Sequence, residues 1–469
     1  MAEDFRKKEL KELVEKFEDF VKGRVSHYFE EDDFENIIDY YLDKLKFSKA
    51  LKAVNVAFDQ FPFSVELMLR KATILTSLEE YDEALKLLET AENLQPGDSE
   101  IILLKGNILS LNGNYDEAID ALNNALEWIE DKDEVFYNIG LAFQGKGDYK
   151  QAADNYKLAI EFNINHENAL YELAYCLDVA GELESSLDYY RQFIDRDPFS
   201  EYAWYNLGIV YNKLGRHVEA IDAYEYAAAI DDSFSSAYFN MGNAYLNIEE
   251  YDKALKAFQT TEELEGPSSE TYCYIGAAYE KLGELDEALS FYRRAAKLDD
   301  MYDEAYFGIA SCLKAQERWF ESIHFYNKAL KLNAENPDYW LAVAEAEYKV
   351  GNIVSSMDAF EEATILDPKN PMAWLGWSHI YFEQGQYEKA VDTVSSGMDE
   401  CPEESDLYYR ATVYLITAGR FKEAFAILEN ALTLNFENHV VLFEFFPKLE
   451  TQKALYKIIE RYKSNNKDK

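Results

Sequence analysis

Apolar residues recur along this chain with the three- and four-residue spacing of amphipathic helices. The stretch from Glu201 to Phe234 contains two such stripes. The first, on a helix named A, comprises Trp204, Leu207, Gly208 and Tyr211. The second, on a helix named B, comprises Ala220, Tyr224, Ala227 and Ala228. Gly215 stands between the stripes and predicts a turn, because glycine ends a helix readily in the left-handed conformation. The pattern therefore indicates a helix–turn–helix unit.

The same pattern returns every 34 residues, so that twelve copies follow one another over residues 31–438. No residue larger than serine stands at the position of Ala220 in any copy. The position of Gly208 holds glycine, alanine, serine or threonine in every copy except the first, where Ile38 stands. We interpret these small residues as points where the backbones of helices A and B approach closely. The turn glycine recurs at Gly113, Gly147, Gly181, Gly283, Gly351, Gly385 and Gly419.

A 34-residue helix–turn–helix period with aromatic, leucine, glycine, alanine and proline residues at these offsets resembles the tetratricopeptide repeat family. The resemblance covers about 87% of the chain, 408 of 469 residues. It implies an all-α fold, a right-handed α-solenoid or superhelix of antiparallel helix pairs. It also implies that the A helices line the concave face of that solenoid.

The segments outside the repeats are predicted to cover the two open ends. Residues 1–30 contain an amphipathic helix whose apolar positions run from Phe5 to Val21, and we expect it to cap the first repeat. The alternative is that this N-terminal helix mediates dimerisation. Residues 439–463 predict C-terminal capping helices, the first of them ended by Pro447. Residues 464–469 are expected to be a disordered tail.

The charge balance narrows the class of partner. The chain has 46 Lys and Arg against 89 Asp and Glu, a net charge of −43, which repels nucleic acids and anionic membranes. We therefore expect a protein or peptide partner that is neutral or basic, with no nucleic acid and no membrane. No apolar run approaches the roughly 18 residues of a membrane span, and no signal peptide is apparent, so a cytoplasmic location is expected.

The sequence offers no convincing catalytic or metal-binding pattern. The four cysteines and six histidines are scattered without ligand spacing, so we expect free thiols and no metal site. The run from Gly140 to Lys146 has the glycine and lysine spacing of a phosphate-binding loop. Gly147 then replaces the required serine or threonine, and no strand precedes the run. We therefore predict that the protein is not an enzyme and has no cofactor.

The candidate binding site is the groove formed by the A helices. The resemblance places positions 2, 5, 6, 9, 12 and 13 of each repeat on the inner face. Position 5 supplies aromatic residues, and nearby positions supply asparagines, whose amides offer both a donor and an acceptor to a peptide backbone. The predicted peptide-binding residues are Tyr137, Asn138, Tyr171, Tyr205, Asn206, Asn212, Phe239, Asn240, Asn243 and Asn247. The alternative is that the position-5 rings only brace neighbouring helices.

The family members that grip acidic chaperone tails use a lysine at position 5 and further basic residues at positions 2 and 6. Asn107 and Asn138 match the asparagines of that clamp, but Leu103, Asn168 and Glu172 occupy the basic places. The favoured function is a non-enzymatic scaffold that binds a partner's peptide segment in the concave groove. The alternative is a regulatory subunit or assembly factor that docks on a folded protein through its ends or its convex face.

One helix-A position conflicts with the pattern. Glu347 stands where other repeats have Tyr211, Tyr245 or Tyr279. Either a cation or a hydroxyl partners this carboxylate, or helix A rotates so that Glu347 is exposed and Tyr348 is buried. We favour rotation.

Overall fold

The structure, a computed structural model, describes residues 2–127, 129–164 and 166–467, with side chains described for 10–463 apart from 128 and 165. The chain divides into two compact units, Met1–Ala237 and Tyr238–Lys469. Over the described ranges the secondary structure is helical, with no strand. The all-α solenoid of helix pairs that the sequence predicted is confirmed, since consecutive helices pack on each other from α1 to α13 in the first unit and from α15 to α25 in the second.

The first unit contains α1 (Ala2–Val21), α2 (Glu31–Leu42), α3 (Phe47–Gln60), α4 (Val65–Ser77), α5 (Tyr81–Leu94), α6 (Ser99–Leu111), α7 (Tyr115–Ala125), α8 (Lys132–Lys146), α9 (Tyr149–Phe162), α10 (Glu167–Val179), α11 (Leu183–Arg196), α12 (Glu201–Lys213) and α13 (His217–Ile230). Helix α14 (Ser235–Asn247) contains the division between the units. The second unit continues with α15 (Tyr251–Glu265), α16 (Ser269–Leu282), α17 (Leu285–Leu298), α18 (Asp303–Ala315), α19 (Trp319–Leu332), α20 (Pro337–Lys349), α21 (Ile353–Leu366), α22 (Pro371–Glu383), α23 (Tyr387–Glu400), α24 (Ser405–Thr417), α25 (Phe421–Leu434), α26 (Leu442–Phe445) and α27 (Lys453–Lys467).

Helices α2 to α25 alternate between type A, with even numbers, and type B, with odd numbers. The A helices of neighbouring pairs also contact each other. Examples are α4 with α6 and α6 with α8 in the first unit, and α22 with α24 in the second. Within the described chain no two B helices contact each other to the same extent. The A-helix side is therefore the inner side within each unit.

Several of the helix-A glycines make room for an aromatic ring, not for a helix backbone. A Cβ atom built on Gly208 would lie 2.5 Å from the ring of Tyr224, on helix B of the same pair. Gly140 has the same relation to Tyr156. Both rings are fully buried. At Gly208 and Gly140 the predicted close contact between helix backbones is therefore wrong. The space beside each glycine is filled by a tyrosine side chain of helix B.

The turn between helices A and B contains a left-handed residue in every pair. The turn glycines have positive φ angles, such as 72° at Gly215. In the four pairs that lack the glycine, the same position is held by Leu45, Glu79, Glu249 and Glu317, and these residues also have positive φ. The packing of the pair therefore imposes the left-handed turn even on residues that disfavour it.

We expect Glu317→Gly to stabilise the protein by about 0.5–1 kcal/mol, because glycine adopts the left-handed conformation without the penalty of a Cβ atom. Glu317 is exposed with φ 59°. Thermal unfolding followed by circular dichroism measures the effect. Glu317→Ala removes the same charge but keeps the strain of the positive φ angle. Gly283→Ala introduces that strain at the same repeat position of another pair and should lower the stability. Equal stability of Glu317→Gly and Glu317→Ala would contradict the explanation.

Helix α1 packs its apolar face on the first helix pair. Val14 and Phe17 are buried there, and the Phe17 ring contacts those of Phe29 and Phe34 edge to face at 5.8 and 6.1 Å. The apolar face of α1 thus packs on the first helix pair, and its role as a cap stays a prediction. The side chain of Phe5 lies outside the described side chains. Dimerisation through this helix stays a prediction.

The C-terminal segment packs on the last repeats in a similar way, and its role as a cap stays a prediction. Helix α26 ends at Phe445, before Pro447, as the sequence predicted. Leu455 and Ile459 of α27 are buried in the last core cluster. Helix α27 is described through residue 467, and the disordered tail from residue 464 stays a prediction. Residues 468 and 469 lie outside the described residues.

The rotation favoured for the helix around Glu347 is wrong. Glu347 is buried, with 8% of its surface exposed, and Tyr348 is half-buried. The Asn352 side chain donates a hydrogen bond from Nδ2 to Glu347 Oε2 at 2.7 Å. The tyrosine hydroxyl donates to Glu383. The carboxylate therefore keeps its inward position because an amide in the following turn satisfies it.

Candidate functional site: the inner face of the A helices

Most position-5 aromatics brace neighbouring helices. In the first unit, the Tyr137 ring lies 5.7 Å from that of Tyr156 and 4.8 Å from that of His166. Tyr205 contacts Tyr224 and Phe234 at 5.8 and 4.9 Å. Each ring thus packs against helix B of its own pair and against the loop that follows it. These contacts match the bracing alternative raised from the sequence.

Tyr171 is different, because its side chain points into solvent. It is 57% exposed, and Tyr175, one turn later on α10, is 42% exposed. The Tyr149 ring approaches Tyr175 edge to face at 6.1 Å. Exposed tyrosines one turn apart on an inner helix offer apolar area and two hydroxyl groups to a ligand.

In the second unit Phe239 is also a bracing residue. Its ring contacts Phe258 at 5.6 Å and Tyr274 at 5.0 Å. Asn240 and Asn243 of α14 are half-buried, and Asn247 is exposed at the end of that helix. The predicted site residues are therefore divided between the units: Tyr137, Asn138, Tyr171, Tyr205, Asn206 and Asn212 lie in the first, and Phe239, Asn240, Asn243 and Asn247 in the second.

The asparagine amides of the first unit are partly used by the protein itself. Asn138 donates from Nδ2 to the Glu134 carbonyl at 2.8 Å, and Asn206 donates to the Tyr202 carbonyl at 2.8 Å. Asn212 Oδ1 lies 2.6 Å from His217 Nδ1. Asn206 is only 2% exposed, and its Oδ1 is buried without a hydrogen-bond partner within the described chain. The Asn138 side chain is half-buried, and its oxygen remains available as an acceptor.

A cavity of about 620 Å³ opens on the inner face of the first unit. It is lined from α4, α6 and α8 by Leu69, Arg70, Leu103, Asn107 and Asn138, among others. One glutamate from each of these helices also lines it: Glu66, Glu100 and Glu134, all exposed. They occupy position 2 of three successive repeats. The sequence showed this spacing, but acidic residues were too abundant for it to stand out.

Arg70 is the cation of this cavity, and acids surround it. Its guanidinium pairs with Asp39, with Glu35 at 3.4 Å and with Glu66 at 3.1 Å. Burial raises the pKa of Glu35 and of Asp39, although the Arg70 charge opposes that rise. Arg70 is thus neutralised locally, and the cavity retains a negative wall from Glu100 and Glu134.

His166 with Asp133 and Glu134 could be mistaken for a metal site, because ligand atoms of the three residues lie within 4.8 Å of one another. The His166 Nδ1 atom, however, accepts a hydrogen bond from the Ala169 backbone N–H at 3.2 Å and caps α10. In a neutral ring the proton is then on Nε2, which faces Glu134 Oε1 at 3.6 Å. A nitrogen that carries the proton cannot ligate a metal, so the cluster is better explained as a helix cap.

The other chemical candidates are structural residues as well. All four cysteines are free and buried, and burial raises the pKa of Cys176, Cys273 and Cys312 to about 12, which disfavours the reactive thiolate. Gly140 lies inside α8, and Lys146 pairs with Asp116 at 2.6 Å. Within the described residues, no helix combines the length and apolar character of a membrane-spanning segment.

Family models described as tetratricopeptide repeat match residues 36–99, 75–139, 137–201, 179–234, 235–264, 269–302 and 307–371, which together are more than half of the chain. No curated protein matches the sequence. Among solved structures, yeast Tom70 aligns over 83% of this chain and 96% of its own, with 14% identity and a TM-score of 0.45. The Cut9–Hcn1 hetero-tetramer of APC/C aligns over 90% and 94%, with 15% identity and a TM-score of 0.43. YrrB, described as a tetratricopeptide repeat protein with an unusual peptide-binding site, aligns over 39% and 95%, with 19% identity and a TM-score of 0.32.

The family models carry the assignment, because the structural similarities are too low to add to it. Proteins built from these repeats are generally non-enzymatic scaffolds, and the repeats of this chain support a scaffold for protein–protein interaction. The recurring pattern, the helix pairs and the matched segments agree, and this chain belongs to the tetratricopeptide repeat family.

Proposed function

We propose that the first unit binds an extended, basic peptide segment of a partner protein along the inner face of α4, α6, α8 and α10. The observation that carries this proposal is the open cavity of about 620 Å³ with one exposed glutamate from each of three successive A helices. The negative wall favours lysine and arginine in the partner, in line with the net charge of −43. A cytoplasmic location and the absence of a cofactor remain part of the prediction.

The spacing of the acids indicates a sequence pattern for the ligand. Packed helices lie about 8–10 Å apart, and an extended chain advances about 3.3–3.6 Å per residue. Basic residues three apart in a peptide would therefore meet Glu100 and Glu134 in turn, the two acids of this wall that Arg70 does not neutralise. Asn107 is exposed on the same wall, and the Asn138 oxygen can accept a backbone N–H of the peptide.

The exposed rings of Tyr171 and Tyr175 extend this surface on α10. Aromatic side chains that become buried in an interface often supply a large part of its binding energy. Tyr205 and Phe239 were the anchors expected from the sequence. Because both pack against other rings, truncating them would also destabilise the fold, which makes Tyr171 the sharper test. Asn206 is too deeply buried to contact a ligand unless its neighbours move.

Two labelled peptides of equal composition test the proposal, one with arginine at every third position and one with the arginines scrambled. We expect the patterned peptide to bind more tightly by fluorescence polarisation, with an affinity that falls as salt rises. Tyr171→Ala should weaken binding by about 1–3 kcal/mol and Asn138→Ala by about 1 kcal/mol. Glu100→Lys should weaken it further by reversing a charge.

Phe199→Ala is the matched control, since Phe199 is 79% exposed and lies in the loop before α12. This variant should bind as the native chain does. Equal binding of the two peptides, or no loss in Tyr171→Ala and Glu100→Lys with helicity intact, would contradict groove binding. Docking through the ends or the convex face would then be the better explanation.

A further inference from the structure

The outer side of the second unit contains a basic patch that the net charge of the chain conceals. It lies on α17 and α19, the B helices of two successive repeats. Five of the six residues at positions 25, 26 and 29 of these repeats are cations, namely Arg293, Arg294, Lys297, Lys328 and Lys331. The same positions of the other ten repeats hold eleven acids and only two cations, Lys157 and Arg191. The positive charge is therefore concentrated on two neighbouring helices.

Most cations of the basic patch are open to solvent and lack an acidic partner. Lys328 is half-buried and the other four are exposed. The C-terminal halves of the two helices, residues 290–298 and 324–332, contain no acidic residue. Arg294 pairs with Glu262 of α15 at 3.2 Å. Over the part of the chain that the structure describes, the remaining four cations have no acid within ion-pair distance.

Aromatic rings hold two of these cations in place. The Lys328 ammonium lies 5.3 Å from the centre of the Tyr306 ring and 5.1 Å from that of Phe325. The Arg294 guanidinium lies 4.0 Å from the centre of the Tyr272 ring, which occupies the position of Tyr306 in the preceding repeat. A cation that rests on a ring has already lost part of its freedom, so a ligand orders it at a lower cost in conformational entropy.

The helix ends explain only part of this charge. Lys297 and Lys331 stand in the last turns of their helices, where the terminal carbonyl groups favour a cation. Arg293 lies one turn earlier. The Arg318 side chain, with a smaller contribution from Arg293, holds the pKa of Glu321 below its usual range, and Arg318 pairs with that carboxylate at 2.7 Å. Glu321 is therefore already used, and Arg293 remains open to an external anion.

Acids limit the extent of the basic patch. Glu263 of α15 and Glu361 of α21 occupy corresponding positions in the adjacent repeats, and both are exposed. Asp299 and Asp300 follow α17 and are also exposed. A long polyanion such as a nucleic acid duplex would extend over these acids and be repelled. A short acidic segment of a protein can remain within the patch, so its boundary favours a protein ligand.

We propose that the basic patch on α17 and α19 binds a short acidic segment of a partner protein, one with consecutive aspartate or glutamate residues. Arg293 and Lys297 are about one turn apart on α17, and Lys328 and Lys331 are nearly one turn apart on α19. Each helix thus offers two cations to the carboxylates of the segment. This surface is additional to the cavity of the first unit, lies on the B-helix side and takes a ligand of opposite charge.

Two fluorescein-labelled peptides test this proposal. One has six alternating aspartate and glutamate residues between glycine–serine flanks, and the other has asparagine and glutamine in their place. Binding to the full chain is measured by fluorescence polarisation at about 0.15 M salt, where a Debye length of about 8 Å screens the distant acids of the chain. We expect the acidic peptide to bind and the neutral peptide to bind about tenfold more weakly or worse. No binding of the acidic peptide up to about 1 mM, or equal affinity of the two peptides, would overturn the proposal.

Arg293→Gln combined with Lys331→Gln should weaken binding of the acidic peptide about tenfold or more, because half of the unpaired cations are lost. Both side chains are exposed, so the fold should be kept. Lys157→Gln combined with Arg191→Gln is the matched control. These two cations stand at position 25 of repeats in the first unit, and each pairs with an acid of its own helix, at 3.6 and 3.5 Å. The control should bind as the native chain does, and unchanged affinity in the variant of the basic patch would refute the site.

A labelled DNA duplex of 12 base pairs distinguishes a protein ligand from nucleic acid. We expect the duplex to bind more weakly than the acidic peptide. Binding of the duplex at least as tightly as the peptide, with loss in the variant of the basic patch, would assign the surface to nucleic acid and overturn the proposal. The arginine-patterned peptide should bind this variant as it binds the native chain, which separates a failure of this site from a failure of the cavity in the first unit.

Discussion

Gly208→Val should destabilise the protein by about 2–4 kcal/mol, because the new side chain would occupy the space of the Tyr224 ring. A single Cβ atom at this position would already lie 2.5 Å from that ring, which is fully buried and has little freedom to move. The loss is expected despite a gain in helix propensity of about 0.3–0.5 kcal/mol, which is small because valine is itself a weak helix former. Urea unfolding followed by circular dichroism measures the change in the free energy of unfolding.

Two further variants test the cause of that loss. Tyr224→Leu placed in the Gly208→Val background should recover part of the stability, since it removes the ring that the valine meets. Gly276→Ala should cost less, because a Cβ atom there would lie 3.0 Å from the Tyr292 ring. A Gly208→Val protein as stable as the native chain would show that the ring does not depend on the glycine.

Asn352→Ala should destabilise the protein by about 1.5–3 kcal/mol, because it leaves the buried Glu347 carboxylate without the amide donor that lies 2.7 Å away. Glu347→Leu should have a small effect or a stabilising one, since other repeats place an apolar residue at this position. In the Glu347→Leu background, Asn352→Ala should then cost little. Thermal and urea unfolding of the four proteins provide the double-mutant cycle.

Asn114→Ala is the matched control for this cycle. Asn114 occupies the same repeat position and precedes α7, and neither asparagine forms a side-chain cap bond to its own helix. In that repeat the residue corresponding to Glu347 is Leu109. Equal losses in Asn114→Ala and Asn352→Ala would mean that the effect comes from the turn and not from the carboxylate.

The two cavities, the one in the first unit and one of about 570 Å³ that opens between α20, α22, α24 and α26 in the second, differ in how far the sequence could indicate them. The inner face of the A helices followed from the repeat, and so did the candidate residues on it. The roles of these residues did not follow from the repeat, because the exposure of each side chain depends on whether a ring of the next element packs against it. Tyr171 and Tyr205 occupy the same repeat position, yet Tyr171 is exposed and Tyr205 packs against Phe234. Period and residue type alone do not separate these two cases.

The charge around each cavity also could not be predicted from the sequence alone. A net charge of −43 correctly describes the surroundings of Glu100 and Glu134, but it conceals the cavity near Arg410. That cavity forms where α26, which lies outside the regular repeats, brings Phe445 against an arginine of α24. Residues 35 positions apart come together there, and no local spacing in the chain indicates the contact.

The helix pairs and the turns that contain glycine were determined by local properties of the chain, namely apolar spacing and the positions of glycine and proline. These properties act within one turn or one repeat, so a single sequence contains them. The filling of the space beside Gly208, the amide partner of Glu347 and the burial of Asn206 depended on tertiary packing. Each of these features depends on which side chain a neighbouring element places beside the residue. A small shift or rotation of packed helices is enough to place a different side chain there.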